Sequence, residues 1–81
     1  MIFMLFVHRM KTYARCVWHE GDELREEEET VLGTWVDEQQ MTIRWPTKVN
    51  VLRAMREMRD PEPHWKTFTL LKIKIRSGKF V

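Results

Sequence analysis

Hydrophobic and polar residues alternate most regularly near the end of the chain, in residues 65–76. Successive side chains of a β-strand point to opposite faces, so this alternation predicts a strand with two unlike faces. One face is aliphatic and comprises Leu71, Ile73 and Ile75. The other is mainly basic and comprises Phe68, Leu70, Lys72, Lys74 and Arg76. Ser77-Gly78 ends the predicted strand.

Residues 47–59 carry apolar side chains at the spacing of a helix. The predicted stripe comprises Val51, Leu52, Met55 and Met58. Thr47 is the predicted N-cap, because its hydroxyl can accept from a free backbone N–H. The prolines of residues 60–63 end the helix, since proline cannot continue the hydrogen-bond ladder. We expect the stripe to face a core, although a Met-rich stripe can also form a groove for a partner.

Two further segments, residues 30–36 and 41–45, are predicted to form a β-hairpin around a loop at residues 37–40. The predicted pairs share one face and are Val36 with Met41, Thr34 with Ile43, and Leu32 with Trp45. In this register Trp35 and Arg44 lie on the reverse face.

The beginning of the chain also favours a β-strand, over residues 3–18. Because this is longer than an ordinary strand, a break is expected at residues 8–11. Residues 20–29 are predicted to be a solvated acidic loop, with a short helix as the alternative, because neighbouring like charges repel. Together these elements predict one small α+β domain over residues 1–81. Its two layers are a mainly antiparallel sheet of about four strands and one helix on one face, in the order β-β-β-α-β.

The apolar residues 1–7 resemble a targeting segment, but basic residues follow too soon for a signal peptide or a membrane span. Met10 also resembles a natural start, so the first nine residues are alternatively an upstream extension. Cys16 is the only cysteine of the chain, which excludes an internal disulfide and fits a reducing cytoplasm. Since 81 residues bury a small core and four are tryptophan, a homodimer is a further expectation.

Charge is strongly segregated, although the net charge is only +2. Most of the acids lie between residues 20 and 40, and most of the bases lie after residue 41. The acidic set comprises Asp22, Glu23, Glu26, Glu27, Glu28 and Glu29. A compact acidic patch can dock on a basic surface of another protein. The main prediction is therefore a non-enzymatic protein-binding module, such as a regulator, inhibitor or adaptor, that uses this acidic loop and an exposed aromatic and basic sheet face. The simpler interpretation of the acids is a solubilising loop.

The reverse face of the predicted sheet combines aromatic and basic residues, as single-stranded nucleic acid requires. It comprises Tyr13, Arg15, Trp35, Arg44, Lys72, Lys74 and Arg76, beside Phe68 and Leu70. Single-stranded DNA or RNA binding is the alternative function, although the nearby acids would repel phosphates unless the fold holds them apart. The same face could instead be covered by a dimer partner or by the long first strand. Its cations could also protect an edge strand from aggregation.

No catalytic, cofactor or metal site is predicted. The acidic segment lacks the alternation and central glycine of a calcium loop. His19, Glu20 and Asp22 are the weakest hypothesis, an acid–base cluster, because polar residues are ordinary at the end of a strand. Cys16 lies on the parity expected to be buried, where a thiol is usually inert.

Overall fold

The computed structural model describes residues 12–21 and 25–81, which form an antiparallel sheet and one short helix. The elements are β1 (Tyr13–Glu20), β2 (Arg25–Leu32), β3 (Val36–Asp37), β4 (Thr42–Trp45), α1 (Val51–Arg56) and β5 (Lys66–Ser77). A single 3-10 turn, Gly33–Trp35, joins β2 to β3. The predicted combination of antiparallel sheet and one helix is confirmed. The sheet has five strands over these residues rather than about four.

The last strand in the chain lies in the middle of the sheet, whose strand order is β2-β1-β5-β4-β3. Residues 66–69 of β5 pair with β4, and residues 69–77 pair with β1. β5 therefore lies between two hairpins, β1–β2 and β3–β4, and pairs with both. Within the described residues, no strand of one hairpin pairs with a strand of the other. Lysines on β5 do not protect an edge, so that interpretation of the sequence was wrong.

β1 begins at Tyr13 and continues two residues past the predicted end, to Glu20. Residues 1–11 lie outside the described residues, and so does the break predicted at residues 8–11. Gly21 then turns the chain toward β2 with a φ of 73°, a conformation that glycine adopts at no steric cost.

The acidic segment was predicted to be a loop, but residues 25–29 belong to strand β2. Every residue of β2 pairs with one of β1, from Glu20 opposite Arg25 to Tyr13 opposite Leu32. The prediction failed because repulsion between neighbouring glutamates is offset by cations from other strands. Glu28, for example, accepts from Arg15 of β1 and from a lysine of β5.

The second hairpin is shorter than predicted, and its register differs. Val36 pairs with Ile43, and Asp37 pairs with Thr42. The Asp37 carboxylate accepts from the backbone amides of residues 39 and 40, an Asx-type turn that moves the loop one residue further along. Val36 and Ile43 still share a face, as predicted. The observed register differs from the predicted one by two residues on the partner strand, and a shift of two residues leaves each side chain on the same face.

Helix α1 begins later than predicted, because Asn50 rather than Thr47 is its N-cap. The Asn50 side chain accepts from the Arg53 amide, which satisfies one of the free donors of the first turn. Lys48 has a φ of 66° and cannot be part of a helix. The Thr47 hydroxyl instead donates to the His64 carbonyl oxygen. This hydrogen bond joins the two ends of the segment that links β4 to β5 and contains α1.

The helix also ends earlier, before the prolines of residues 60–63. Met58 has a φ of 56°. The Met58 amide donates to the Met55 carbonyl, and the Arg59 amide donates to the Ala54 carbonyl. This pair of hydrogen bonds is the Schellman motif, which closes a helix with a left-handed residue.

The face that α1 buries differs from the predicted stripe. Ala54 is fully buried in the core, with Val51 and Met55 packed beside it. Leu52 and Met58 are exposed. A helix of six residues has room for one narrow buried face, and Ala54 is its buried residue.

Four tryptophans form a continuous chain of ring contacts through the core. The ring centroids of Trp18 and Trp45 are 5.1 Å apart, those of Trp45 and Trp35 are 6.3 Å apart, and those of Trp35 and Trp65 are 5.2 Å apart. Trp35 is 1% exposed, and its indole N–H donates to the Arg59 carbonyl at 2.8 Å. Its predicted position on an exposed face was wrong, because the 3-10 turn breaks the alternation on which that prediction relied.

Irregular pairing between β1 and β5 changes which residues face the core. The register shifts between Arg15 and Cys16 and again between Val17 and Trp18. Leu70 and Ile73 therefore both reach the core cluster, although strict alternation placed them on opposite faces. Ile75, a member of the predicted aliphatic face, is exposed.

We expect Trp35→Ala to lower the free energy of unfolding by about 3–5 kcal/mol, because it removes two ring contacts and leaves a cavity. Leu52→Ala, at an exposed position, should change it by less than about 0.5 kcal/mol. Urea unfolding monitored by far-UV circular dichroism measures both values. Equal losses from the two variants would show that Trp35 does not stabilise the core.

Candidate functional site

The four consecutive glutamates lie on β2, one of the two outer strands of the sheet. Glu26 and Glu28 point to one face, and Glu27 and Glu29 point to the other, as alternation requires. The predicted acidic loop is thus an acidic strand that presents carboxylates on both faces. Asp22 and Glu23, the remaining members of the predicted set, lie outside the described residues.

Glu28 is the centre of an ion-pair network that crosses three strands. Its two carboxylate oxygens accept from Arg15 Nε and from Lys74 Nζ, each at 2.8 Å. These hydrogen bonds, from Lys74 first and Arg15 second, hold the pKa of Glu28 below its ordinary value of 4.5. Arg15 also donates to the Thr30 hydroxyl at 3.1 Å. The network fixes Arg15 and Lys74, two of the cations predicted to contact a partner.

The other three glutamates of β2 differ in whether they form a salt bridge with a described residue. Glu27 pairs with Arg25 at 3.1 Å. Glu26 and Glu29 form no salt bridge with any residue that the structure describes. Their two carboxylates lie on opposite faces of the strand.

The predicted aromatic and basic face is not assembled as one surface. Trp35 and Leu70 are buried in the core, and Phe68 packs against it. Tyr13 is half-buried, and its ring meets the edge of the Phe80 ring with 5.7 Å between centroids.

Most of the cations assigned to that face already have partners. Arg44 Nη2 donates to the Glu62 carbonyl at 2.7 Å and to the Trp65 carbonyl at 3.2 Å. Arg76 pairs with Glu38. Lys72 forms no salt bridge within residues 12–21 and 25–81, yet it lines a groove together with three glutamates of β2. This face is therefore mixed in charge, and the fold does not hold the acids away from the bases.

An apolar cleft beside β2 is a feature that the sequence did not indicate. It has a volume of about 240 Å³ and is lined by Glu29, Thr30, Trp45, Val51, Leu52, Met55 and Phe80. Leu52 is 66% exposed and Phe80 is 64% exposed. In the sequence, the only indication that Leu52 is exposed is its position on the helix, one residue away from the buried face. Nothing in the sequence placed Phe80 beside the helix.

Two of the residues considered for catalysis, His19 and Glu20, lie at the end of β1. The third, Asp22, is outside the described residues. The His64 ring lies 3.1 Å from the Thr47 carbonyl oxygen. No group of three His, Cys, Asp or Glu residues in the described part of the chain is placed to hold a metal ion.

Cys16 is fully buried in the core cluster. Burial raises the pKa of its thiol to about 11, and the neighbouring arginines only partly oppose this effect. A thiol with so little thiolate at neutral pH is a poor nucleophile.

None of the helices over residues 12–21 and 25–81 has the length and apolar character needed to cross a membrane. Comparisons with models of protein families, with curated proteins and with solved structures find no match to this chain. The candidate site is therefore defined by its own geometry: an acidic outer strand beside an apolar cleft.

The ion pairs of Glu28 make stability depend on pH. Because the pKa of Glu28 is lower in the folded chain, its contribution is complete above 4.5 and is lost as the pH falls through the folded value. Glu28→Gln should therefore lose less of its unfolding free energy than the unmodified chain between about pH 6 and pH 3. Urea unfolding across this range measures the difference.

Glu26→Gln is the matched control, since Glu26 forms no salt bridge with a described residue. Its pH dependence should follow that of the unmodified chain. Some dependence remains in every variant, because hydrogen bonds from Arg53 and then Arg59 lower the pKa of Glu57. Identical curves for Glu28→Gln and the unmodified chain would refute the network.

Cys16 should react slowly with a thiol reagent in the folded protein. A rise of its pKa from 9.0 to about 11 reduces the thiolate fraction about a hundredfold, and burial restricts access further. Labelling with Ellman's reagent at about pH 8 should be at least about a hundredfold slower in buffer than in denaturant. Because the chain contains one cysteine, the signal reports this position alone. Equal rates would contradict the buried placement.

Proposed function

We propose that this chain is a small non-enzymatic protein-binding module, a regulator, inhibitor or adaptor, whose binding surface is the acidic strand β2 together with the apolar cleft beside it. One observation carries the proposal: Glu29, whose carboxylate forms no salt bridge with a described residue, lines a cleft with two large exposed apolar side chains, Leu52 and Phe80. Catalysis has no comparable support among the described residues.

The apolar part of this surface resembles the centre of a protein interface. Leu52 and Phe80 line one cleft with the half-buried Val51 and Met55. Exposed apolar residues that lie together on a small protein commonly mark an interaction site. Neither Leu52 nor Phe80 belongs to the core cluster of the described residues.

The charged part of this surface supplies the rim. Glu29 lines the cleft, and Glu26 lies further along the same strand. An apolar centre with a charged rim is the usual anatomy of an interface, and carboxylates favour a basic partner and speed its approach. The fixed network of Arg15, Glu28 and Lys74 holds the strand in place without using these two acids.

Single-stranded nucleic acid is the alternative partner, and the geometry favours it less. Its predicted stacking residue, Trp35, is buried. Arg15 and Lys74 are held by Glu28, and Arg76 is held by Glu38. A phosphate approaching these cations would also approach the carboxylates.

The proposed location is the cytoplasm, because the lone reduced thiol of Cys16 fits a reducing compartment. A homodimer remains part of the proposal. Light scattering of the purified protein distinguishes a binding module that acts as a monomer from one that acts as a dimer.

We expect the double variant Glu26→Lys/Glu29→Lys to lose partner capture while remaining folded. The immobilised chain is exposed to an extract of the cells that naturally express it, and bound proteins are identified by mass spectrometry. The matched control is Asp60→Lys/Glu62→Lys, which makes the same change of charge in the segment after α1. Circular dichroism confirms that all forms are folded.

Proteins retained by the unmodified chain and the control, but not by the β2 variant, support the proposal. Equal capture by both variants refutes the role of β2. A single-stranded oligonucleotide is tested in parallel at low salt. Binding that is weakened by Lys72→Glu/Lys74→Glu would establish nucleic acid as the partner instead.

A further inference from the structure

We infer that the partner bound by β2 is a short, extended, basic segment of a protein that adds to the sheet as a sixth strand. This inference rests on the proposed function, because it uses the same surface. It goes further in naming the backbone of β2 as the main contact and the chemistry of the occupant.

The outward hydrogen-bonding groups of β2 follow from its register with β1. The Gly33 amide donates to the Thr12 carbonyl at 3.0 Å, so this pair is hydrogen-bonded. Bonded and non-bonded pairs alternate along an antiparallel ladder. The next bonded pairs therefore include residues 31, 29 and 27 of β2. The N–H and C=O groups of Glu26 and Glu28 consequently point away from β1.

The open part of this edge is residues 25–29. Thr30 is 2% exposed, and its hydroxyl contacts the Val81 carbonyl, so the end of the chain covers that part of the strand. No backbone hydrogen bond joins residues 25–29 to a segment other than β1 within the described chain. Four backbone groups, two on Glu26 and two on Glu28, therefore have no backbone partner among the described residues, and an added strand can bond to them. Such an edge is a template for strand addition.

The glutamates decide which strand can be added. A second copy of this chain pairing through its own β2 would place glutamates opposite glutamates, and like charges directly opposite are destabilising. A basic strand meets carboxylates on both of its faces, Glu26 on one and Glu29 on the other. The charges thus disfavour self-pairing and favour a lysine- or arginine-rich segment.

The apolar cleft adds a requirement at one end of the segment. Glu29 and Thr30 line the cleft together with Leu52 and Phe80. A strand that follows β2 to this point brings a side chain to the cleft. The occupant therefore carries an aliphatic or aromatic residue beside its basic residues, as in other peptides that bind by strand addition.

The test uses a synthetic peptide with the eight-residue length of β2. Lysine occupies the six inner positions, so that cations meet the carboxylates on both faces, and isoleucine stands at each end so that it reaches the cleft in either orientation. A peptide with glutamate in place of lysine is the charge control. Two further peptides carry N-methyl groups on one or the other alternate set of backbone amides. In an extended strand these sets point in opposite directions.

Binding is measured by isothermal titration calorimetry, and amide exchange is measured by NMR. The lysine peptide should bind, and the glutamate peptide should not. One N-methylated peptide should bind at least about tenfold more weakly, and the other should keep its affinity within about threefold. On binding, the Glu26 and Glu28 amides should become protected from exchange. The Glu27 and Glu29 amides, which face β1, are internal controls that should already be protected.

Each result separates this inference from the proposed function. If the lysine peptide binds but both N-methylated peptides bind equally and Glu26 and Glu28 stay unprotected, charge alone holds the partner and strand addition is wrong. Failure of the lysine peptide to bind also overturns strand addition. The proposed function is then judged separately, by whether Glu26→Lys/Glu29→Lys loses capture from the extract.

Discussion

The edge-to-face and tilted contacts among four tryptophans are the interaction on which the rest of this small fold depends. Trp18 from β1, Trp45 from β4, Trp35 from the 3-10 turn and Trp65 before β5 contact one another in sequence. These rings fill a core that a short helix and a short second hairpin could not fill with aliphatic side chains. Aromatic rings bury large areas and prefer such edge-to-face and tilted arrangements. Packing takes precedence over polar pairing here, since the indole N–H groups of Trp18 and Trp65 have no acceptor among the described residues.

This use of the tryptophans explains where sequence reasoning succeeded and where it failed. The approximate positions of α1 and β5 follow from local period and from the nearby prolines, and both were roughly predicted, although the bounds and the N-cap of α1 were not. The face to which a side chain points after a turn cannot be read from the local sequence pattern, because it depends on the geometry of the turn. Gly33–Trp35 form a 3-10 turn, so Trp35 points to the core instead of to the predicted reverse face. The irregular pairing of β5 with β1 likewise brings Leu70 inward, and no pattern within β5 indicates it.

The candidate site was predicted in composition but not in form. The concentration of acids near residues 26–29 was visible in the sequence, and their strand conformation was not. Glutamate is uncommon in strands, and neighbouring glutamates repel each other, so local propensity indicated a loop. The cations that permit the strand, Arg15 and Lys74, are distant in sequence from Glu28. The apolar cleft depends on the meeting of β2, α1 and the end of the chain, which only the tertiary structure specifies.

The central position of β5 affects how this protein folds during its synthesis on the ribosome. Each hairpin can form as soon as its own residues emerge, because its pairing is local. The two hairpins share no ladder until residues 66–77 arrive to lie between them. Until β5 is available, the flanks of β1 and β4 that it will cover are therefore unpaired. The nascent chain completes this sheet only when β5 pairs with both hairpins, which makes the interval before that step the period in which chaperones would be most useful.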